Sequence, residues 1–285
     1  MTDWLAEPFT LLFMQRALAA SLIVGVVCSV LGCFVVLRSM AFLGDALAHA
    51  VLPGIAIAYL LGANLVAGAL VAALVVAFGI GFFSRGGTVR EDTAIGILFA
   101  AALSLGVLLI STAGTYATDL THILFGNVLG VTATDLWLTA GLTTLVLVVL
   151  FALYKEFVLA AFDPVLAHTL GRRPELMRAL MLVLLALTIV VSLQTVGVGL
   201  VAAMLVTPAA TASLLTRRLP AMMAVAAALG VLSSLVGLYV SYYADVASGA
   251  AIVLTATALF VFAFLFAPGR GLLWRHEDVA AKQGM

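Results

Sequence analysis

The chain is 285 residues long, 65% of them apolar and only 9% charged, with a mean hydropathy of +1.28. A water-soluble domain carries about 25% charged residues, so most of this surface cannot face water. Its 13 basic residues balance 13 acidic ones, which leaves no cationic field for nucleic acid.

The N-terminus, MTDWLAEPF, is acidic where a secretory leader is basic, and no small-residue cleavage site follows a short apolar core. The first apolar segment is therefore expected to remain as a membrane span. A helix needs about 20 mostly apolar residues to cross a bilayer. Nine stretches meet this requirement: residues 11–37, 41–61, 65–83, 93–110, 136–154, 176–193, 196–215, 221–243 and 247–266. A shorter apolar patch at 123–131 is suited to a re-entrant or interfacial turn, so eight to ten crossings bracket the count. The expected fold class is all-α, a polytopic transmembrane bundle forming one domain over residues 1–285.

The first span holds both cysteines, Cys28 and Cys33. Five residues apart on a helix, they point roughly 140° away from each other, so they form neither a disulfide nor a chelating pair.

The second span, in SMAFLGDALAHAVLPGIAIAYLLG, carries charge where lipid penalises it. An Asp near a helix centre costs roughly 2.5–3.5 kcal/mol on insertion scales, so Asp45 should face protein or water. His49 follows at i+4, on the same helix face, and the two side chains can close on one divalent cation. A proton relay or a structural hydrogen-bonded pair fits the same spacing. Four residues further on, Pro53 deprives the His49 carbonyl of its helical donor and favours a kink. Freed backbone beside intramembrane polar groups is how transporters build ion sites.

Before the short patch, TDLTHILFGN places Asp119 and His122 at i, i+3. They suit either a structural pair in a loop or a point of metal admission. The polar stretch after the fifth span contains FDPVLAHTLGRRP. There Asp163 is a good N-cap, Pro164 fits the first helical position and Gly171 suits the residue just past the end. The expected product is a two-turn helix within 156–175, exposing Leu166 and Leu170 as a handle for a soluble partner, with His168 part of that surface. In the seventh span, Pro208 frees the Met204 carbonyl and is a candidate gate.

Assigning the junctions alternately to the two faces puts twelve of the thirteen basic residues on one side, Arg16 being the exception. The positive-inside rule then places the N-terminus outside, the C-terminus in the cytoplasm, and requires an odd number of spans. No GxxxxGK[ST] occurs, and the only lysines are Lys155 and Lys282. The chain is thus not expected to hydrolyse ATP itself. HExxH and GxSxG are also missing, against a protease or esterase.

Taken together, GVVCSVLGCFVVLRSMAFLGDALAHAVLPGIA, REDTAIGILFA, DLTHILFGNVLG, SLQTVGVGLVAAMLVTPAATASLLTRRLP and SYYADVASG resemble the permease subunits of bacterial manganese, zinc and iron ABC importers, the ABC-3 family. The resemblance implies a type II importer fold in the bacterial cytoplasmic membrane. It also implies two permease copies, two cytoplasmic ATPase subunits and an extracytoplasmic metal-binding protein. The family's Asp-x-x-x-His pair falls on Asp45 and His49, as the metal site on the transport route. The family's coupling helix falls on 163–171. An oxygen–nitrogen site suits Mn²⁺, Fe²⁺ or Zn²⁺ as transported ion, and DLTHILFGN is more similar to the manganese-type members. No covalently bound cofactor is implied. An ion-gradient-driven secondary metal carrier and a non-transport membrane scaffold are the competing readings. ATP-dependent uptake separates them from the first.

Overall fold

A computed structural model describes residues 10–84, 89–111 and 130–267. Eleven helices cover them: α1 (Leu12–Leu37), α2 (Phe42–Leu60), α3 (Leu65–Phe83), α4 (Glu91–Ser111), α5 (Ala133–Ala152), α6 (Tyr154–Phe162), α7 (Pro164–Thr169), α8 (Pro174–Val196), α9 (Val198–Leu215), α10 (Leu219–Ala244) and α11 (Ser248–Phe266). No strand occurs among the described residues. Nine of these helices, all except α6 and α7, are long and apolar enough to cross a membrane. The fold class read from the sequence therefore holds, and each expected span has its helix.

Helix ends differ from the apolar runs by a few residues, and polar caps explain why. α5 starts three residues before its apolar stretch because Thr132 and Asp135 form a reciprocal capping box. α8 and α10 start early with Pro174 at the first and Pro220 at the second helical position, where a fixed φ suits the first turn. The Asn64 side chain accepts from Val66 N and Ala67 N to open α3. The polar stretch after α5 is more ordered than hydropathy suggests. A break at Leu153 separates α6, whose Phe157 is buried and packs edge-on against Phe34 with ring centroids 6.2 Å apart.

In the packing, α1 lies against α9, α10, α5 and α8, while α2 is held by α3, α4 and α9. These contacts are close because small residues line them. A Cβ on Gly32 would overlap the Leu205 carbonyl of α9, and one on Gly54 would overlap the Gly68 carbonyl of α3. Ser21 donates to the Ala17 carbonyl of its own helix, while the Ser234 hydroxyl lies 2.9 Å from the Gly230 carbonyl and 3.2 Å from the Ser21 carbonyl of α1. Both cysteines are free and buried in α1.

Charged side chains join four helix ends at one side of the bundle. Glu91, opening α4, accepts from Arg178 Nε of α8 at 2.9 Å and lies 4.0 Å from Arg38 Nη2 at the end of α1. Arg178 also donates to Ser84 Oγ at the end of α3. The alternation of spans puts these four ends on one face, and here they touch. Residues Arg85, Arg270, Arg275 and Lys282, and all of the 123–131 patch except Gly130 and Val131, lie outside the described residues.

Candidate metal centre

Asp45 lies three residues into α2 and His49 seven, which places them about 5 and 10 Å along the axis from Phe42. They occupy one face. Their neighbours Leu43, Gly44, Ala46, Leu47, Ala48 and Ala50 are all buried, whereas the Asp45 side chain is 48% exposed and that of His49 24%. His49 Nδ1 sits 2.9 Å from the Asp45 carbonyl oxygen and 3.3 Å from Asp45 Oδ1. A carbonyl only accepts, so this contact is a hydrogen bond in the tautomer that carries its proton on Nδ1. From the far side, Phe99 of α4 meets the imidazole edge-to-face with centroids 5.6 Å apart. That contact limits the ring to a narrow range of orientations.

One carboxylate and one imidazole nitrogen are two ligands, and first-row divalent ions take four or more. No group of three or more His, Cys, Asp and Glu capable of holding a metal occurs among the described residues. Among the described residues, one copy brings two such groups together on this face, the Asp45 carboxylate and the His49 imidazole. Asp119 and His122 lie outside the described residues.

Both span prolines sit inside continuous helices, Pro53 in α2 and Pro208 in α9. Neither ends its helix. At Pro53 the backbone is gripped from two sides, by Gly68 of α3 against Gly54 and by Gly106 of α4, whose Cβ would stand 2.9 Å from Leu52 Cβ.

The short helix in 156–175 is α7, built as its residues predict. The Asp163 side chain accepts from Leu166 N at 2.8 Å, and Pro164 occupies the first turn. Gly171 takes a positive φ of 71°. Arg172 N donates to Ala167 O and Gly171 N to His168 O, the paired bonds of a Schellman end. Ala167 faces inward at 1% exposure, while Val165, Leu166 and Leu170 stand out at 73%, 46% and 61%. An ion pair from Arg172 to Glu156, at 2.9 Å, fixes α7 to α6.

Three interactions had no signal in the apolar pattern. Phe99 is one generic aromatic in a long apolar run, and nothing marks it as the packing partner of His49. Glu91 and Arg178 sit at span ends, where lipid penalises charge least, so their hydropathy is unremarkable. Burial pushes the Arg38 guanidinium below its ordinary value, Glu91 pulls it back up, and nearby Arg178 lowers it again.

The ABC 3 transport family matches residues 10–267. The chain is 50% identical over 264 residues to the manganese transport system membrane protein MntC of Halalkalibacterium halodurans, covering 93% of this chain and 90% of that one. It is 42% identical over 266 residues to a probable iron transport system membrane protein of Haemophilus influenzae, covering 93% and 98%. Among solved structures, PsaBC from Streptococcus pneumoniae in complex with Fab superposes with a TM-score of 0.84 at 38% identity, over 98% of this chain and 99% of that one.

Proposed function

This chain belongs to the ABC 3 transport family, and we propose that it is the permease of an ATP-driven importer of divalent transition-metal ions, with manganese as the cargo ahead of iron and zinc. The manganese preference rests on the MntC relative, and the iron transport relative keeps Fe²⁺ among the cargoes. An oxygen–nitrogen donor pair suits all three ions. The protein works as one transmembrane domain in the bacterial cytoplasmic membrane, with its N-terminus outside and its C-terminus inside. ATP is hydrolysed by a partner subunit in two copies, and an extracytoplasmic metal-binding protein delivers the ion.

The carrying observation is the exposed Asp45–His49 face of a membrane helix. The Asp45 carboxylate is 48% exposed, in the first turn of α2 and 3.3 Å from His49 Nδ1, so both side chains are within reach of a cation arriving at this face. A two-fold axis between two permease copies repeats any patch that faces it. Two Asp45 and two His49 side chains then complete an O₂N₂ set around one ion, and the ion screens two carboxylates that would otherwise repel. Asp119 and His122 serve ion admission on the outer side. Pro53 and Pro208 supply the bends at which α2 and α9 gate the route.

Energy enters at α7. Val165, Leu166 and Leu170 form an apolar knob on a helix held at both ends, suited to a cleft on the ATPase. Asp163, Pro164 and Gly171 set its length, so a push on α7 moves a rigid body.

The test is uptake by proteoliposomes holding permease, ATPase and delivery protein. The expected result is Mn²⁺ accumulation that requires ATP and is abolished in both Asp45→Asn and His49→Ala complexes, which still assemble. Accumulation without ATP, driven by an ion gradient, would establish the secondary-carrier reading instead.

A further inference from the structure

We propose that Glu91 is a positioning residue for transport: it transmits movement of the ATPase-docking helix α7 to α4, and through Phe99 to the His49 ligand. Such a role presupposes the ATP-driven importer described above.

The connections run through a short covalent link and then through contacts. α7 ends at the Leu170–Gly171 turn, and Pro174 opens α8 three residues later. Arg178, one turn into α8, donates through Nε to Glu91 Oε1 at 2.9 Å, and Arg38 Nη2 lies 4.0 Å from the other carboxylate oxygen. Arg178 further holds Ser84 Oγ, which donates to the Ile80 carbonyl of α3. The side chains of Arg178 and Glu91 are only 13% and 22% exposed. Glu175 adds a smaller favourable charge interaction with Arg38.

From Glu91 the motion has a stiff carrier. α4 is an uninterrupted helix, and Phe99 lies eight residues along it, about 12 Å away. Phe99 meets His49 edge-on at 86°. Seven residues further, Gly106 rests on Leu52 and Pro53. A tilt of α4 about its Glu91 end therefore acts on the imidazole and on the α2 backbone at Pro53 together. Among the described residues, a groove of about 940 Å³ lies between α7 and α3, with Phe78 and Phe82 on one wall and Val165 and His168 on the other, so no α3 side chain blocks a shift of α7 together with α6.

An ion pair is also the right material for this joint. A part-buried ion pair adds little net stability compared with apolar packing, so its geometry is what it contributes here. Arginine's planar fork fixes direction as well as distance. A static staple would serve stability alone, and the two roles predict different measurements.

The experiment compares Glu91→Gln, Glu91→Asp and wild type in the complete complex in proteoliposomes, recording Mn²⁺ transported and ATP hydrolysed in the same vesicles. The expected result for Glu91→Gln is at least a tenfold drop in ions moved per ATP, with hydrolysis continuing, and recovery of most of the ratio in Glu91→Asp. A staple would lower transport and hydrolysis in proportion. If Glu91→Gln does not assemble, Arg178→Lys, which keeps the charge but loses the fork, carries the same test. An unchanged ratio in whichever variant assembles overturns the proposal. Wild-type uptake that ignores ATP would instead remove the importer reading on which it depends.

Discussion

Replacing Gly54 by alanine sets two effects against each other. Alanine is favoured over glycine in a helix interior by about 1 kcal/mol, so propensity alone predicts a more stable α2. The obstacle is α3. A Cβ on Gly54 would overlap the Gly68 carbonyl oxygen and stand 2.6 Å from Ala72 Cβ, where carbon atoms normally rest about 3.5–4.0 Å apart. The carbonyl cannot rotate aside, so α2 and α3 must separate by about 1 Å along their crossing. Overpacking of this kind costs about 1–3 kcal/mol, and a backbone obstacle places it at the upper end. The net expectation is about 1–2 kcal/mol of destabilisation, and a fall of several degrees in Tm at about 2–4 °C per kcal/mol. Because Gly54 lies five residues past His49, the forced separation of α2 from α3 should also lower uptake. Gly141→Ala is the control, since its Cβ would meet nothing within 4 Å; it should be neutral or stabilising. Thermal unfolding of the purified complex and uptake by the same preparations read both effects. A Gly54→Ala complex as stable and as active as wild type, or a Gly141→Ala complex equally damaged, would refute the reasoning.

Leu166→Asp or Leu170→Asp should weaken docking of the ATPase by about 2 kcal/mol or more, the loss expected when an interface anchor goes, while the permease stays folded; co-purification of the two subunits checks it. Asp163→Ala removes the cap of α7 and should cost that helix about 1 kcal/mol, seen as a smaller decrease in the same co-purification. Reporters fused after Arg90, Arg173 and Arg218 should read cytoplasmic, and one near Asp119 external; a cytoplasmic signal at Asp119 would break the nine-span arrangement.

The spans were legible because lipid imposes one simple demand, an apolar helix of sufficient length, and little in a bilayer overrides it. α7 was legible for a different reason: Asp163, Pro164 and Gly171 each satisfy backbone groups locally, without help from the rest of the chain. The shared face of Asp45 and His49 followed from helical spacing alone. What the pattern hides is anything that depends on which spans meet. Phe99 reaches His49 from a helix fifty residues away, and Gly106 settles on Pro53 only once α4 has packed on α2. α6 is masked because Lys155 and Glu156 at its start and the polar residues after it read as loop and its apolar run is too short for a span, although buried Phe157 fastens it to Phe34. The Arg38–Glu91–Arg178 cluster was hidden by position, because charges at span ends are expected whether or not they find one another.

If Asp45 and His49 of two permease copies share one transported ion, metal analysis of the purified complex, wild type beside Asp45→Asn, measures it directly. The account predicts one intramembrane Mn²⁺ per two permease chains in the wild type and none in the variant. Two equivalent ions per pair of chains, or the same metal content in both proteins, would contradict it.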